Sequence, residues 1–473
     1  MGSVPVLNPW AAALASAGTR AVDYLDRVGA RDVVARATSD QLRAALGGPM
    51  PDAPQDPVAV VNRLADAAAD GTVATVGPRY FGFVVGGSVP AAMAADWLVS
   101  TWDQNAGIYV LSPLVSVVED VTTSWVRDLV GLSDDWTAGF VTGCQMANFT
   151  CLAAARHDVL ARAGWDVEAD GLMGAPAVDV IVSDESHHTI FQALRYLGFG
   201  NARLHRIPTD EQGRMRADVL AKVLAAGTGP CIVSAQAGNV NTGAFDPIDD
   251  IATLCERRGA WLHVDSAFGL WAVVSPSRAD LVRGISRADS ISTDAHKWLN
   301  VPYDCGIAMT RHRAAHRAAM TMHADYIETT ATARDPHDYV PELSRRARSV
   351  PVYAALASLG REGLRDIVER CCDNARLMAE IVGAHPRAQV LNDVVLNQVL
   401  IRFDTDEATR AVVEAVQAGG ECWLSGTSWH GMAAIRVSVS NWLTSRDDIE
   451  RSARAILGAA DRVLTSKTVS HRP

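Results

Sequence analysis

The chain has 473 residues, of which 48% are hydrophobic and 21% are charged, and its formal net charge is −11 at pH 7. This composition is ordinary for a globular protein in water, and the length predicts one large domain with one or two smaller pieces. The acidic balance, without a basic run interleaved with aromatic residues, argues against nucleic acid or an anionic membrane surface as a partner.

Export, membrane insertion and metal binding are not predicted either. The most apolar stretches, such as GAWLHVDSAFGLWAVV, are broken by charge or glycine well short of the ~20 residues that a membrane-spanning helix needs. The N-terminal segment has no basic region ahead of its alanine-rich run, which argues against a signal peptide. The eight cysteines lack the C-x-x-C spacing of metal sites, and a reduced, cytoplasmic compartment fits them best.

The first part of the chain, residues 1–75, is predicted to be helical. The segments NPWAAALASAGTRAVDYLDRV and DPVAVVNRLADAAAD carry apolar residues at helical spacing, and the proline-rich GGPMPDAPQDP between them predicts a loop. A glycine-rich extended stretch, GPRYFGFVVGGSVP, comes next, and AAMAADWLVSTWDQ after it is predicted to be helical again.

Short apolar segments alternate with helical ones between about residue 136 and residue 310. DVIVSD, CIVSAQAG, AWLHVDSAFG and SISTD predict buried strands, and HTIFQALRYLG, RADVLAKVLAAG and IDDIATLCERRG predict helices between them. This alternation predicts an α/β fold with a mostly parallel sheet and helices on both of its faces. Ligands of such sheets bind beyond the carboxyl ends of the strands.

The last third of the chain predicts a second, smaller domain. Residues 311–349 are charged and irregular, and they predict a long loop of the kind that often carries function. From about residue 350 the chain is helical, and VVLNQVLIRF and AAIRVSVS then predict strands mixed with helices. We therefore divide the chain into an N-terminal helical segment (1–75), a large domain (76–350) and a small α+β domain (351–473).

Lysine is rare in this chain, because only Lys222, Lys297 and Lys467 occur among its 43 lysine and arginine residues. Arginine can replace lysine in salt bridges, but it cannot replace a lysine whose neutral amine must attack a carbonyl. Lys222 lies in an amphipathic helical segment and Lys467 in a polar tail, whereas Lys297 follows a predicted buried strand. Lys297 is therefore either a Schiff-base lysine, which suggests pyridoxal phosphate as the cofactor, or a third surface lysine.

A cofactor of this kind needs a carboxylate beside its pyridine nitrogen, and Asp265 is the candidate. Asp265 precedes Lys297 by 32 residues and ends an apolar predicted strand, where an unpaired carboxylate would be costly. A protonated ring nitrogen would pair with it, and the small Ala267 would leave room for the ring. The alternative is an aspartate that only caps the following turn.

The phosphate and the face of the ring have candidates too. Residues 143–145, Gly-Cys-Gln, open a predicted helix, and the free N–H groups of a helix start bind phosphate well. Most glycines before helices make only a turn, however. His187 and His188 follow a predicted strand, and one of them would stack on the ring, unless it is a capping or core histidine.

Together these pieces resemble the group II pyridoxal-phosphate-dependent amino-acid decarboxylases, which include aromatic-amino-acid, glutamate, histidine and cysteine-sulfinate decarboxylases. The segment HKWLNVPYDCG (296–306) is similar to the lysine motif of that family. FVTGCQMAN, SDESH, AGNVNTGAFDP, HVDSAFG and DAHKW follow one another over residues 140–306 in the family's order. Weaker similarity extends from PRYFGF (78–83) to GREGLRDIVER (360–370).

The resemblance implies the fold and the assembly of the family. The fold is pyridoxal-phosphate fold type I, a mostly parallel seven-stranded sheet flanked by helices, with an N-terminal helical segment and a small C-terminal α+β domain. The family forms obligate homodimers, in which the N-terminal helices interlock and the active sites lie at the interface. The expected partners are therefore a second copy of the chain and a small amino-acid substrate.

The resemblance also implies roles for individual positions. Lys297 would bind the cofactor covalently, Asp265 would pair with the pyridine nitrogen, and His187 would stack on the ring and take part in catalysis. The other implied cofactor contacts are Gly143, Cys144, Gln145, Asn241, Ala267, Asp294 and His296. The implied substrate contacts are Phe83 and Val84, with Asn105 and Ile108 reaching in from the partner chain.

Two departures from the family pattern affect this prediction. The phosphate segment is usually Gly-Gly-Ser and is Gly-Cys-Gln here, which keeps the backbone donors but loses a hydroxyl. The family uses a tyrosine on a mobile loop to protonate the substrate carbon, and Pro336 falls near that position in this chain. Tyr339 and Tyr326 are the nearest tyrosines, and we take Tyr339 as the catalytic candidate.

The predicted function is the pyridoxal-phosphate-dependent decarboxylation of an L-amino acid to the amine and CO₂. Aromatic and apolar residues around 80–84 favour an aromatic or hydrophobic substrate, unless Tyr80 and Phe81 only pack under the sheet. Arg436 would bind a carboxylate in the site or form a surface pair. The alternative functions are decarboxylation with oxidative deamination to an aldehyde, transamination or another lyase reaction of this fold, and a cofactor-binding homologue without catalysis.

Overall fold

The computed structural model describes residues 8–325 and 333–469. Three helices come first: α1 (Ala11–Arg27), α2 (Ser39–Leu46) and α3 (Pro57–Gly71). α1 and α3 pack side by side, and Ser16 Oγ donates a 2.8 Å hydrogen bond to Asn62 Oδ1 between them. α2 was not predicted, but its start carries a capping box in which the side chains of Thr38 and Gln41 satisfy each other's backbone N–H groups.

The large domain follows, and its elements alternate as predicted. Its helices are α4 (Pro90–Trp102), α5 (Pro113–Val130), α6 (Cys144–Arg162), α7 (Val167–Asp170), α8 (His188–Tyr196), α9 (Ala217–Ala226), α10 (Ile248–Arg258) and α11 (Arg313–Met320). Its strands are β1 (Thr137–Val141), β2 (Asp179–Ser183), β3 (His205–Ile207), β4 (Cys231–Gln236), β5 (Trp261–Asp265), β6 (Ser290–Asp294) and β7 (Gly306–Thr310). Single turns of 3₁₀ helix occur at Gly269–Val274, Ala279–Val282, Ile285–Arg287 and Pro336–Tyr339.

The seven strands form one sheet in the order β1-β7-β6-β5-β4-β2-β3, and only the pairs that involve β7 are antiparallel. Helices cover both faces, as neighbouring residues of β4 show: Ile232 packs with the core of α6 and α8, whereas Val233 packs with that of α9 and α10. The predicted fold class, a mostly parallel seven-stranded α/β sheet flanked by helices, is confirmed.

The small domain is built on a long helix, α12 (Ser349–Gly383), which is kinked at Gly360, where φ is 58°. The remaining helices are α13 (Asp406–Gly419) and α14 (Arg446–Val469). The strands β8 (Ala388–Val390), β9 (Gln398–Phe403), β10 (Ser425–Trp429) and β11 (Met432–Ser438) form an antiparallel sheet in the order β10-β11-β9-β8. The division of the chain at residues 75 and 350 stays a prediction, although α3 and α12 end and begin close to those positions.

One expectation about regular structure is wrong. Residues 311–349 were expected to be irregular throughout, yet α11 lies within them because Ala315 and His316 turn inward and pack under the sheet. Across the ranges that the structure covers, we find no helix that is both long and apolar enough to span a membrane.

Candidate active site

The candidate site lies where β5 and β6 end and α6 begins. Asp265 is the last residue of β5 and Asp294 the last of β6, and these two strands run parallel beside each other. The backbone N–H of Cys144, the first residue of α6, donates a 2.6 Å hydrogen bond to Asp294 Oδ1. The carboxyl ends of two central strands and a helix start therefore meet, which is where α/β sheets bind ligands.

Lys297 projects into this meeting point. Its Nζ lies 2.9 Å from Asp294 Oδ2, and 18% of its side chain is exposed. Burial lowers the pKa of Lys297, but the charge and hydrogen bond of Asp294, with Cys144 and Asp265, together outweigh it, so that the pKa lies above its ordinary value. Lys297 is thus a partly buried amine, and Asp294 is the strongest of the neighbouring groups that favour its protonated form.

The loop that carries Lys297 is clamped to the small domain by Asn300. Asn300 has a left-handed backbone, with φ of 55°, which asparagine tolerates better than most residues. Its Nδ2 donates to the carbonyls of Trp298 at 2.8 Å and Ser440 at 3.1 Å, and its Oδ1 accepts from the N–H of Trp442 at 3.0 Å. The lysine loop is therefore tied to the segment that follows β11 of the small sheet.

Asp265 is a buried carboxylate, 4% exposed. Its Oδ1 accepts hydrogen bonds from the N–H of Ala267 at 3.2 Å and the thiol of Cys144 at 3.4 Å, and its Oδ2 accepts from Asn148 Nδ2 at 3.2 Å. Within the described ranges no cationic side chain forms an ion pair with it. A buried carboxylate in this state favours a cationic ligand group.

The start of α6 offers free backbone donors. The N–H of Cys144 is taken by Asp294, but those of Gln145 and Met146 have no acceptor among the residues that the structure describes. Gly143 is needed here, since a Cβ on it would lie 3.1 Å from His296 Cε1. Two free donors at a helix start are the usual setting for a phosphate.

Two histidines border Lys297. His187 caps α8, and its Nδ1 accepts from the N–H of Thr189 at 3.4 Å and lies 2.8 Å from Thr189 Oγ1. The proton of the neutral ring therefore sits on Nε2. His296 Nδ1 accepts from the N–H of Cys305 at 3.2 Å. Burial lowers the pKa of both histidines, and the charge of Lys297 adds to this effect.

Tyr303 is a site residue that the sequence reasoning missed. Its ring stacks on His296 with a centroid distance of 4.2 Å and an interplanar angle of 26°. Tyr303 is 60% exposed in the single chain; the burial of the rest of its side chain raises its pKa, while Lys297 acts in the opposite direction. The sequence signal that could have identified Tyr303 is an aromatic residue six positions after Lys297. Its contact with the site, however, is the stack on His296, which the sequence does not show.

The stretch around residue 83 crosses directly over the lysine loop. A Cβ on Gly86 would lie 1.7 Å from the carbonyl oxygen of Lys297. Phe83 and Val84 have left-handed backbones, with φ of 53° and 57°. Val84 is buried, whereas Phe83 is 60% exposed. Gly86 therefore brings this stretch against the lysine loop. No contact among the described residues joins Phe83 or Val84 to Lys297 itself, so their roles as substrate contacts stay predictions.

An aromatic group from the small domain supports that stretch. The ring of Trp423 stacks on Tyr80 at 5.1 Å and lies 5.4 Å from the ring of Phe83. Trp423 was not predicted, because nothing near position 423 marks it as a site residue. Tyr80 and Phe81 are both buried, which agrees with the alternative that these two pack inside the protein.

Arg436 lies inside the protein and not in a surface pair. It is 8% exposed, its Nη1 donates to the carbonyl of Val240 at 3.4 Å, and its Nε has no hydrogen-bond partner. Burial lowers its pKa, and its charge acts on both Tyr80 and His187. Arg436 is therefore a buried cation beside the site, and the described residues include no carboxylate paired with it.

Several predicted residues lie elsewhere. Asn241 Oδ1 accepts from Thr427 Oγ1 at 3.0 Å, and Asn105 Oδ1 accepts from the N–H of Arg345 at 3.1 Å. Ile108 is buried. No contact in the described part of the chain joins any of these three to Lys297, so their roles stay predictions.

The tyrosine expected to donate a proton is also not beside the lysine. Tyr339 is buried between His316, with ring centroids 5.3 Å apart, and the guanidinium of Arg334, 4.0 Å above its ring. We find no contact between Tyr339 and Lys297 among the described residues. Tyr326 lies outside those residues.

These features fit pyridoxal phosphate. Asp265 is a buried carboxylate that needs a cationic partner, such as a protonated pyridine nitrogen. The free N–H groups of Gln145 and Met146 suit a phosphate, and Lys297 is the amine for the aldehyde. The residues that suit the ring nitrogen, the phosphate and the aldehyde of the cofactor therefore lie in one site.

Comparison with known proteins agrees with this assignment. The model of the pyridoxal-dependent decarboxylase conserved domain matches residues 40–404. The chain is 28% identical over 462 residues to an aromatic-L-amino-acid decarboxylase from Bacillus atrophaeus, and the match covers 94% of each chain.

Two solved structures share the fold. The TDC of Oryza sativa with PLP and tryptamine superposes with a TM-score of 0.90 at 22% identity, over 98% of this chain and 99% of the other. The 4-hydroxyphenylacetaldehyde synthase of Rhodiola rosea gives a TM-score of 0.86 at 22% identity, over 97% and 99%. The predicted family, cofactor and enzyme class are confirmed: the chain is a pyridoxal-phosphate-dependent carboxy-lyase and belongs to the pyridoxal-dependent decarboxylase family.

Proposed function

We propose that the enzyme decarboxylates an aromatic L-amino acid to the corresponding amine. The observation that carries the choice of substrate is the presence of aromatic rings around the lysine loop: Phe83 lies against Trp423, and Tyr303 stacks on His296, the neighbour of Lys297. Flat aromatic rings favour an aromatic side chain through offset or edge contacts. The name of the Bacillus atrophaeus relative, an aromatic-L-amino-acid decarboxylase, points to the same substrate class.

The proposed cofactor contacts follow from the geometry of the site. Bound pyridoxal phosphate supplies the electron sink that makes loss of CO₂ feasible. Lys297 holds the cofactor covalently, Asp265 keeps its ring nitrogen protonated, and the N–H groups of Gln145 and Met146 bind its phosphate. Asp294 prepares the site before binding, since it fixes both the start of α6 and the amine of Lys297.

Arg436 and His187 are proposed to orient the substrate. The guanidinium of Arg436 lacks a carboxylate partner, so it can bind the α-carboxylate of the substrate. That carboxylate leaves as neutral CO₂, so the ion pair strengthens substrate binding more than it lowers the barrier. Asp265 raises the pKa of His187 and Arg436 lowers it, and His187 would stack on the ring of the bound cofactor.

The reaction needs one proton at the carbon that loses CO₂. The charge of Lys297 acts on the pKa of both His187 and Tyr303, and we propose that His187 Nε2–H or the Tyr303 hydroxyl donates this proton. Tyr339 remains a prediction, because it would have to act in the site of a partner subunit or after a rearrangement of its segment.

A second candidate function is decarboxylation coupled to oxidative deamination. One amino acid, one O₂ and one water would then give an aldehyde, CO₂, ammonia and hydrogen peroxide. The observation that favours it is the position of Tyr339, which packs on His316 and Arg334 and not beside Lys297. One solved structure with the same fold, from Rhodiola rosea, is named a 4-hydroxyphenylacetaldehyde synthase, after an aldehyde.

We further propose a homodimer. The exposed large apolar side chains concentrate in the first quarter of the chain, where a partner would cover them. They include Trp10, Leu14, Val22, Leu64, Trp97, Leu98, Trp102, Leu111, Leu114 and Val117.

A cytoplasmic location is also a proposal. Its support is the state of the eight cysteines, which are all free thiols and all buried. A reducing compartment keeps such thiols unpaired.

The experiment that tests the function is an amino-acid panel analysed by mass spectrometry under air and under nitrogen. We expect an aromatic amine in equal yield under both gases. An aldehyde formed only in air would establish the second candidate, and a keto acid without CO₂ would contradict both. Lys297→Ala should abolish turnover, whereas the matched lysine variant Lys222→Ala, on the exposed side of α9, should keep it.

A further inference from the structure

A row of buried polar side chains runs from Asp265 into the interior, away from Lys297. The row consists of Asn148, His263, Ser290 and Trp261, and none of them is more than 1% exposed. Polar groups buried this deeply are costly unless each one is paired. Each of these side chains is paired through a hydrogen bond to the next one in the row.

The far end of the row begins with a side chain that can only donate. Trp261 Nε1 can only donate, and it donates to Ser290 Oγ at 2.9 Å. The hydroxyl proton of Ser290 is then available to His263 Nδ1, which lies 3.0 Å away. Burial lowers the pKa of His263 to about 4, so the ring is neutral at physiological pH and carries one proton, on Nε2.

The near end of the row leads to Asp265. His263 Nε2 donates to Asn148 Oδ1 at 3.0 Å, and Ser292 Oγ donates to the same oxygen at 2.5 Å. An amide oxygen 3.2 Å from the carboxylate of Asp265 would be repelled, so Nδ2 is on that side and Oδ1 faces His263 and Ser292. Asn148 Nδ2 faces Asp265 Oδ2 at 3.2 Å, so every donor in the row points toward the carboxylate.

We propose that Asn148 is a positioning residue, which together with His263 and Ser290 holds Asp265 ionised and aimed at the ring nitrogen of the cofactor. Donors that point at a carboxylate stabilise its anionic form. A proton shared between carboxylate and ring nitrogen then stays on the nitrogen, where it strengthens the electron sink. The inference rests on the proposed role of Asp265 and deepens it.

The same amide also reaches toward the stacking histidine. Asn148 Nδ2 lies 3.5 Å from Thr189 Oγ1, which is 2.8 Å from His187 Nδ1. Asn148 is therefore the one described side chain that touches both the carboxylate at the ring nitrogen and the partner of His187. A filler of the core would not need this placement.

The test compares the affinity of the apoenzyme for two cofactors: pyridoxal phosphate and its 1-deaza analogue, in which a C–H replaces the ring nitrogen. The phosphate contacts and the link to Lys297 are common to both. The dissociation constant of the deaza analogue divided by that of pyridoxal phosphate therefore reports the interaction of Asp265 with the ring nitrogen. We expect Asn148→Ala to reduce this ratio about tenfold, the usual worth of a hydrogen bond to a charged group. Asn374→Ala is the matched control, since this buried asparagine bonds to the carbonyl of Thr444 instead, and its ratio should stay at the wild-type value.

If Asn148→Ala does not fold, a second pair of variants tests the same proposal. His263→Phe removes the donor to Asn148 without touching Asp265 and should reduce the ratio about threefold, a fraction of one hydrogen bond. His263→Gln keeps an N–H near the Nε2 position and should restore it. A wild-type ratio in His263→Phe, together with a lower melting temperature, would show that the row only supports the core and would overturn the proposal. Failure of the wild-type protein to bind either cofactor would instead overturn the proposed function.

Discussion

Asp294 controls the protonation of Lys297, and this gives a pH prediction. Attack on an aldehyde needs the neutral amine, and the nearby carboxylate raises the pKa of Lys297 above its ordinary value. In Asp294→Asn that charge is gone while an oxygen acceptor for Cys144 remains, so burial dominates and the pKa falls. In the pH profile of the rate of cofactor capture, we expect the alkaline limb to move to lower pH by about 1–3 units.

The measurement is the rate at which apoenzyme captures pyridoxal phosphate, trapped by borohydride between pH 6 and pH 11. Asp304→Asn is the control, because that carboxylate pairs with Arg348, and its limb should stay in place. A limb at the same pH in Asp294→Asn would show that Asp294 does not set the protonation of Lys297.

Arg436 gives a kinetic prediction. Replacing Arg436 with methionine keeps the bulk of the side chain but removes the charge proposed to bind the α-carboxylate. We expect kcat/KM to fall about 100-fold, which corresponds to the loss of a buried charge-paired hydrogen bond, with most of the loss in KM.

Product inhibition separates this role from general damage to the site. The amine product has no carboxylate, so its inhibition constant should stay within about twofold of the wild-type value in Arg436→Met, as for a change without effect on the free energy of binding. An inhibition constant that rises together with KM would mean that the variant disturbs the whole pocket.

At the level of single residues, the sequence could identify the groups that stand in contiguous motifs. Asp265 ends an apolar strand and Lys297 follows one, and the chemistry of each is evident from its residue type. Arg436 could not be assigned, because a shift of one residue in the register of β11 would turn its side chain to the other face of the sheet. Only the pairing of Arg436 with Ser425 and Leu400 in the small sheet settles which way it faces.

The extended stretch that crosses the lysine loop gives a prediction at the level of an element. Gly86 approaches so closely that a Cβ would lie 1.7 Å from the carbonyl oxygen of Lys297, and 2.8 Å from its carbonyl carbon. A backbone atom cannot rotate away, so Gly86→Ala must displace one of the two segments. We expect activity to fall at least about 100-fold, because small displacements of a reacting group are costly.

Cofactor content and far-ultraviolet circular dichroism check this prediction. The fold should persist while the bound cofactor and turnover are lost. Gly419→Ala is the control, because nothing lies within 4 Å of its Cβ position and alanine suits a helix better than glycine. Full activity in Gly86→Ala would show that the crossing stretch does not position the lysine.

The elements that the sequence did not reveal have a common physical cause. β1 (TAGFV) and β7 (GIAMT) are five residues long, and glycine and alanine interrupt their β-branched and aromatic residues, so neither shows a clear strand pattern. β7 is held between β1 and β6, and β1 is held by its pairing with β7. α11 (RAAHRAAM) was hidden by its charges, although one face of it packs under the sheet. Tertiary pairing decided each of these cases, and local pattern could not.

At the scale of the whole molecule, the site is a junction of distant parts of the chain. Phe83 precedes the first strand of the large sheet, and Lys297 follows β6. Trp423 and Arg436 belong to the C-terminal part of the chain. The family resemblance could predict that these parts meet, but periodicity and composition could not, because they carry no information on contacts between residues far apart in sequence. The row of Asn148 and His263 behind Asp265 is of the same kind.

The exposed apolar side chains of the N-terminal quarter give the last prediction. Leu114 and Val117 on α5 are 55% and 54% exposed, and we propose that a second copy of the chain covers them. A double substitution, Leu114→Glu with Val117→Glu, would bury four unpaired carboxylates in a two-fold interface, because each change occurs twice. Each would cost a few kcal/mol, about the penalty for an unpaired charge at an interface, so we expect a monomer at micromolar concentration.

Sedimentation velocity measures this change, and thermal unfolding shows whether the fold of the single chain survives. Met173→Glu is the matched control, because Met173 is 94% exposed but lies far along the chain from those apolar side chains, and this variant should remain a dimer. Activity should disappear with the dimer if Asn105 and Ile108 act in the partner's site, since neither contacts Lys297 of its own chain among the described residues. A fully active monomer would therefore contradict the shared site even if the wild-type protein is a dimer, whereas a wild-type monomer would contradict the dimer itself.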